Sequence, residues 1–226
     1  MTDYLVFTLA ATLAAHGDLA GHERRGTLGW PGRSAILGLL AAARGIRRDD
    51  ADGLAALDAL RMAVAVHDDG VPLRDYHTVQ TVPSAAVKRP DSRADAIRRV
   101  GRAINTTITH RDYRAGVLYT VAVWGLPMEP FRDALQRPVF TLYLGRKSCP
   151  LSAPPAPVLV QADGPLAALH GAQLPEFRRG LPIRAVYSDV DLGGGLREQR
   201  NDVPLDRAAW HFAGRQVHVL RIGGAT

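Results

Sequence analysis
Only one cysteine, Cys149, occurs in the 226 residues, which excludes an internal disulfide and a cysteine-built zinc quartet. Such a residue reads as a small core side chain. Long apolar runs are missing too. The longest within a helical pattern, 35–43, has nine residues, against the roughly 18–20 that cross a bilayer, so no membrane association is expected. The apolar stretch 5–15 follows Asp3 and no positive charge, so it reads as a buried first strand of a cytoplasmic protein and not as a secretory leader. HExxH, paired CxxC, EF-hand and GxxxxGK patterns are all absent, so neither a metal nor another cofactor is expected. His67-Asp68-Asp69 reads as an acidic turn at a strand end. The Gly32-Arg33-Ser34 turn has no strand before it and no histidine beside it, which excludes acyl transfer through a nucleophile elbow.

Lysine is nearly absent: Lys88 and Lys147 stand beside 26 arginines and 22 acidic residues, for a net charge of +6. The surplus is local. Between 88 and 114 there are eight basic residues (Lys88, Arg89, Arg93, Arg98, Arg99, Arg102, Arg111, Arg114) and three acids (Asp91, Asp95, Asp112), while the rest of the chain holds 20 and 19. Almost all of the net charge thus sits in one segment, the footprint of an arm that binds a polyanion. The same segment has few large apolar residues, which predicts an arm that orders only on its ligand.

Periodicity predicts a strand at 4–10 and a helix at 34–44, with Ile36, Leu39, Leu40 and Ala43 on one stripe, Ser34 as its cap and Gly45 as its stop. A second helix is expected at 50–60, strands at 62–66 and 117–124, a helix at 129–136 and a strand at 141–144. This order predicts an α+β fold with a ferredoxin-like domain of RNA-recognition type over 1–148, interrupted by the basic insertion. Ser152-Ala153-Pro154-Pro155-Ala156-Pro157 is a stiff linker. A smaller β-rich region then fills 149–226, with strands at 183–190, 196–201 and 216–222 and a hairpin turn at Gly193-Gly194-Gly195.

The helix start at Arg33 and Ser34 offers backbone N–H groups and a cation to a phosphate. Metal-free RNA cleavage would draw on Tyr76, His77, Lys88 and His110. In the stretch from Leu142 to Pro150, a strand enters a turn bearing Tyr143, Gly145, Arg146, Lys147 and Ser148. The two cations can hold phosphates, the glycine permits close approach, and the tyrosine can stack on an unpaired base.

Four collinear blocks resemble the Cas-five family, the RAMP subunit of type I-E CRISPR Cascade. They are Trp30-Pro31-Gly32-Arg33-Ser34-Ala35-Ile36-Leu37-Gly38-Leu39-Leu40, Gly45-Ile46-Arg47-Arg48-Asp49-Asp50, Leu73-Arg74-Asp75-Tyr76-His77-Thr78-Val79, and the residues from Tyr143 to Leu151. The likeness continues through Val186-Tyr187-Ser188 and Arg200-Asn201-Asp202. It implies a RAMP-type RNA-recognition fold whose inserted basic hairpin, about 78–115, is a thumb. It also implies a non-catalytic subunit that caps the 5′ handle of CRISPR RNA (crRNA), contacts the backbone and large subunits, and meets target DNA indirectly as the thumb interrupts the guide–target duplex. The RNA-binding residues expected on this basis are Arg33, Ser34, Tyr76, His77, Arg111 at the thumb base, Tyr143, Gly145, Arg146, Lys147 and Ser148. Lys88, Arg89, Arg98, Arg99 and Arg102 are expected along the thumb. The alternative is a metal-independent endoribonuclease acting on CRISPR repeat RNA.

Overall fold
The computed structural model describes residues 1–20, 23–83, 85–206 and 211–223, the side chains of Leu19 and Ala20 excepted. β1 (Thr2–Ala14) is buried along most of its length. Leu5, Phe7 and Leu9 enter one core and Tyr4 and Val6 another, so the strand is apolar on both faces and shows no polar alternation. β1 pairs antiparallel with β6 (Asn105–Trp124) on one side and β7 (Val158–Ala162) on the other. β6 pairs antiparallel with β4 (Arg61–Asp68). The central order is therefore β7–β1–β6–β4.

Two helices cover one face. α1 (Arg33–Arg44) and α4 (Glu129–Gln136) bring Ile36, Leu40, Phe131 and Leu135 against Leu5, Phe7, Val121 and Val123. Each such fully buried side chain contributes roughly 1.5–3 kcal/mol. α1 stops at Gly45, whose φ of 77° lets its N–H and that of Ile46 close on Ala42 O and Ala41 O. Its start differs from expectation. Gly32 is the N-cap, Ser34 caps nothing, and Asp202 Oδ2 accepts the Arg33 N–H at 2.6 Å from far along the chain. The helix expected at 50–60 is α2 (Ala51–Ala55) followed by a 3-10 turn, Ala56–Ala59. On the opposite face, α5 (Pro165–Leu169) lays Ala168 and Leu169 over Tyr4, Val6 and Ala122.

The strand expected at 141–144 is replaced by a single bridge, Tyr143 to Pro150, because its neighbours are engaged elsewhere. Val139 and Phe140 donate to the last carbonyls of α1, Ala43 O and Ala42 O, and Leu144 N donates to Cys149 O to close a tight turn. The proline linker then runs along β1, with Ser152 N donating to Ala10 O and Thr8 N to Pro155 O. Regular pairing begins only at Val158, since proline has no N–H to give a ladder.

The remaining strands extend the same sheet. β8 (Ala185–Ser188) pairs with β4 and with β10 (His211–Arg221), and β10 pairs with β9 (Leu196–Asp206). Gly193–Gly195 is thus not a hairpin turn, because β10 lies between the strands it connects. The β9–β10 connection, 207–210, lies outside the described residues. A division at 148/149 passes through this one hydrogen-bonded sheet.

The first half of β6 leaves the core. It pairs with β5 (Val71–Thr81) in unbroken register from Val71↔Ala115 to Thr81↔Asn105. The hairpin so formed begins at Val71, earlier than the 78 expected, and its far end, 82–104, carries α3 (Arg93–Val100). Val87, Ala96 and Val100 are buried there. Beside the hairpin base, β2 (His16–Ala20) and β3 (Arg24–Leu28) form a ribbon not anticipated from periodicity, and β3 joins β6 in parallel at Arg24↔His110 and Arg25↔Arg111.

Candidate nucleic-acid interface
At the hairpin base, three chain segments far apart in sequence meet. Register puts Arg74, Tyr76, His110, Asp112 and Arg24 on one face of the β3–β6–β5 ribbon, and Asp75, His77, Arg111, Tyr113 and Arg25 on the other. Contacts agree with this division. Tyr76 meets His110 edge to face at 5.4 Å, and Arg24 and Arg74 both bind Asp112. On the second face the Arg146 guanidinium lies 4.4 Å from the Tyr113 ring centre.

The turn bearing Arg146 is locked onto β1. Ala15 N donates to Leu144 O at 3.0 Å, and Cys149, fully buried, packs with Ala15 and Tyr113. Gly145 has φ of 84°, and a Cβ there would stand 1.8 Å from Ala15 O. The absence of a side chain there therefore serves the close approach to the end of β1. Arg146 Nη1 and Nη2 donate to Asp112 O at 3.2 Å and Arg25 O at 3.4 Å. Carbonyls and a ring thus hold this cation without neutralising it. Lys147 and Ser148 are exposed on the same turn, as is Tyr143. Among the described residues, Arg25, Arg111 and Lys147 have no side-chain hydrogen bond or ion pair to their own chain.

Arg33 is the main correction. It is 8% exposed, and its guanidinium donates to Leu60 O, Asp58 O and Asp189 Oδ2. Arg215 bridges Asp189 and Asp202, completing a buried set of two arginines and two aspartates. Trp30 stacks on Tyr187 at 4.3 Å, and the Arg200 guanidinium lies 5.8 Å from the centre of the same Trp30 ring. The blocks around Trp30, Tyr187 and Asp202 thus meet one another. They tie α1 to β8, β9 and β10, so Arg33 is not free for a phosphate, while Ser34 is partly exposed and caps nothing.

Of the cleavage candidates, Tyr76 and His110 meet and the other two stand away from them. Tyr76 and His77 leave β5 on opposite faces, His77 Nε2 lies 2.5 Å from Asp75 Oδ2, and Lys88 is in the far end of the hairpin. Of the residues expected along a thumb, Arg99 is partly neutralised, with Nε 2.9 Å from Asp95. Lys88, Arg89, Arg98 and Arg102 have no side-chain partner among the described residues. No cluster of metal-ligating side chains occurs among the described residues, and no helix there is long and apolar enough to cross a membrane.

Sequence reasoning missed Arg24, Arg25, Arg74, Asp112 and Tyr113. Arg24 and Arg25 lie in the short β3 and the others in the parts of β5 and β6 outside the core, and only the pairing of β3 and β5 with β6 gathers them.

The family model described as CRISPR-associated protein (Cas_Cas5) matches residues 4–218. The chain belongs to this family. It is 33% identical over 240 residues to the CRISPR system Cascade subunit CasD of Escherichia coli (strain K12), covering 99% of this chain and 98% of that one. A solved structure titled CRISPR RNA-guided surveillance complex contains a chain 30% identical, with a TM-score of 0.70 over 96% of this chain and 89% of its own. Another, titled Crystal structure of Cas protein, is 25% identical with a TM-score of 0.66, over 96% and 94%. The matched region takes in both strands of the long hairpin and the Gly145 turn, so the basic ribbon belongs to the Cas5 domain itself.

Proposed function
We propose that this Cas5-family chain is the non-catalytic subunit of a cytoplasmic type I-E Cascade that binds and caps the 5′ handle of crRNA. The order β7–β1–β6–β4, with α1 and α4 on one face, supports a ferredoxin-like platform of RNA-recognition type. The β5–β6 hairpin is its thumb, projecting toward the guide–target duplex and so toward target DNA. The backbone and large subunits are its protein partners, in line with the likeness to CasD.

The observation that carries the proposal is the face holding Arg25, Arg111 and Arg146, with Lys147 and the exposed Tyr143 on the adjoining turn. None of these four cations has an ion pair to its own chain among the described residues, and Asp75, opposite Arg111, is engaged by His77. Such a surface suits phosphates along a single strand with a base stacked beside them. The endoribonuclease reading draws no support: Tyr76 and His110 meet, but His77 leaves on the opposite face and Lys88 lies at the far end of the hairpin.

Replacing Arg111, Arg146 and Lys147 by alanine is expected to release the repeat-derived handle RNA in a gel shift at fixed salt while leaving the melting temperature nearly unchanged. For about 5–8 phosphate contacts, log affinity of the unaltered chain falls against log salt with a slope of roughly −3.5 to −5.5. Unchanged affinity of the triple variant, or a flat salt response, overturns the proposal. Arg33→Ala is the opposing control: breaking its buried pair costs about 3–5 kcal/mol of stability and leaves the affinity of folded protein intact.

A further inference from the structure
The other face of the hairpin base has no role in the handle grip just described, yet it carries two ion pairs on one carboxylate. Asp112 is 9% exposed and receives Arg24 through Nε at 2.9 Å and Nη2 at 2.7 Å, and Arg74 through Nε at 2.7 Å. Both arginine side chains remain more than half exposed. Each guanidinium engages the carboxylate through its Nε side, so its Nη1 edge is left for another acceptor. Asp112 therefore fixes two cations side by side without exhausting their donors. The exposed Tyr76 and its ring partner His110 flank them on the same face.

We propose that Arg24 and Arg74 form a second seat for a backbone phosphodiester of single-stranded nucleic acid, on the face opposite Arg111 and Arg146. Asp112 is its positioning residue. The seat rests on the reading of this chain as a nucleic-acid-binding subunit and adds a site to it. A phosphate takes the outer N–H edges of both arginines while Asp112 keeps the inner ones. Tyr76 offers its ring to the adjoining base.

The counterintuitive consequence is a sign. By charge alone, Asp112→Asn makes the surface more positive and binding tighter. If Asp112 organises the seat, its loss frees two long side chains to wander, and the entropy of ordering them must be met on binding.

Fluorescence anisotropy with the full-length chain and labelled oligouridylate of about 12 nucleotides, a length within single-strand site sizes, tests this, with oligothymidylate as the DNA arm. Asp112→Asn is expected to bind about tenfold more weakly, with a salt slope shallower by about 1, and Asp112→Glu to recover most of the loss. In case Asp112→Asn does not fold, Arg24→Lys with Arg74→Lys keeps the charge and removes the planar fork, and is expected to lose a similar factor. Equal loss on both probes assigns the seat to any strand, and loss on one alone assigns it to that strand. Binding by Asp112→Asn as tight as or tighter than the unaltered chain, or full affinity of the double lysine variant, overturns the seat while leaving the handle grip standing. Absence of salt-sensitive binding by the unaltered chain to either probe and to repeat RNA overturns the handle reading, and the seat with it.

Discussion
Arg33 and Arg111 carry the same group, and their surroundings give them opposite uses. Arg33 donates to two carbonyls and to Asp189 inside the protein, so its desolvation is compensated by fixed partners. Arg111 sits on the half of β6 that has left the core, has no side-chain partner among the described residues and keeps its donors for a ligand. His16 is the converse case, a titratable group held uncharged. Its ring is almost fully buried, meets Tyr119 edge to face at 5.3 Å, and has neither nitrogen hydrogen-bonded among the described residues. Burial first, and then the nearby Arg114, lower its pKa from 6.5 to about 3. Above pH 6.5 this has no effect on stability. As pH falls from 6.5 towards 3, the unfolded chain takes up a proton that the folded one refuses, so stability is lost, at up to about 1.4 kcal/mol per pH unit. Urea melts of His16→Phe between pH 7 and 4 are expected to show a flatter decline than the unaltered chain. An identical decline refutes the assignment.

The hairpin and the Gly145 turn place the cations, each by a different device. The hairpin continues β6 beyond its core partners, so its rigidity comes from the ladder with β5 and, at the base, from Asp112 between Arg24 and Arg74. These arginines hold the Asp112 carboxyl below the usual carboxylate range. The turn is held by its backbone bond to Ala15 and by buried Cys149. The far end has its own small core and its own capped helix, Ser92 Oγ accepting from Asp95 N at 3.1 Å. It is therefore separable from the base. Replacing 82–104 by a two-residue Asn-Gly turn removes six basic and two acidic residues. The expected result is a nearly unchanged melting temperature and a salt slope for RNA shallower by about 1–2. A collapse of the fold would show that the end supports the platform.

For the molecule as a whole, the sheet is what unites the two halves of the chain. β7 is the second partner of β1, and β8 is the second partner of β4. The buried Arg33–Asp189–Arg215–Asp202 set then locks α1 against the last strands. A fragment 1–148 would expose one edge each of β1 and β4 and leave Arg33 without Asp189 and Asp202. Circular dichroism is expected to show it without a cooperative melt, and a cooperative transition near that of the full chain would establish 1–148 as an independent unit.

Local patterns were enough for much of the architecture. The apolar run of β1, the 3.6-residue stripe of α1, its stop at Gly45 and the helix at 129–136 depend on neighbours in sequence, so the residues themselves specify them. The basic arm was legible as charge crowded into one segment. The fourth central strand was not, because 141–144 and 158–162 compete for the same edge of β1. Capping of α1 by Val139 and Phe140, together with prolines that cannot join a ladder, sends the pairing to the later segment. Nor could sequence separate Arg33 from Arg111. A guanidinium binds an anion of its own chain or a foreign one according to which carboxylates folding brings within reach, and Asp189, Asp202 and Asp112 reach their arginines only through the tertiary fold.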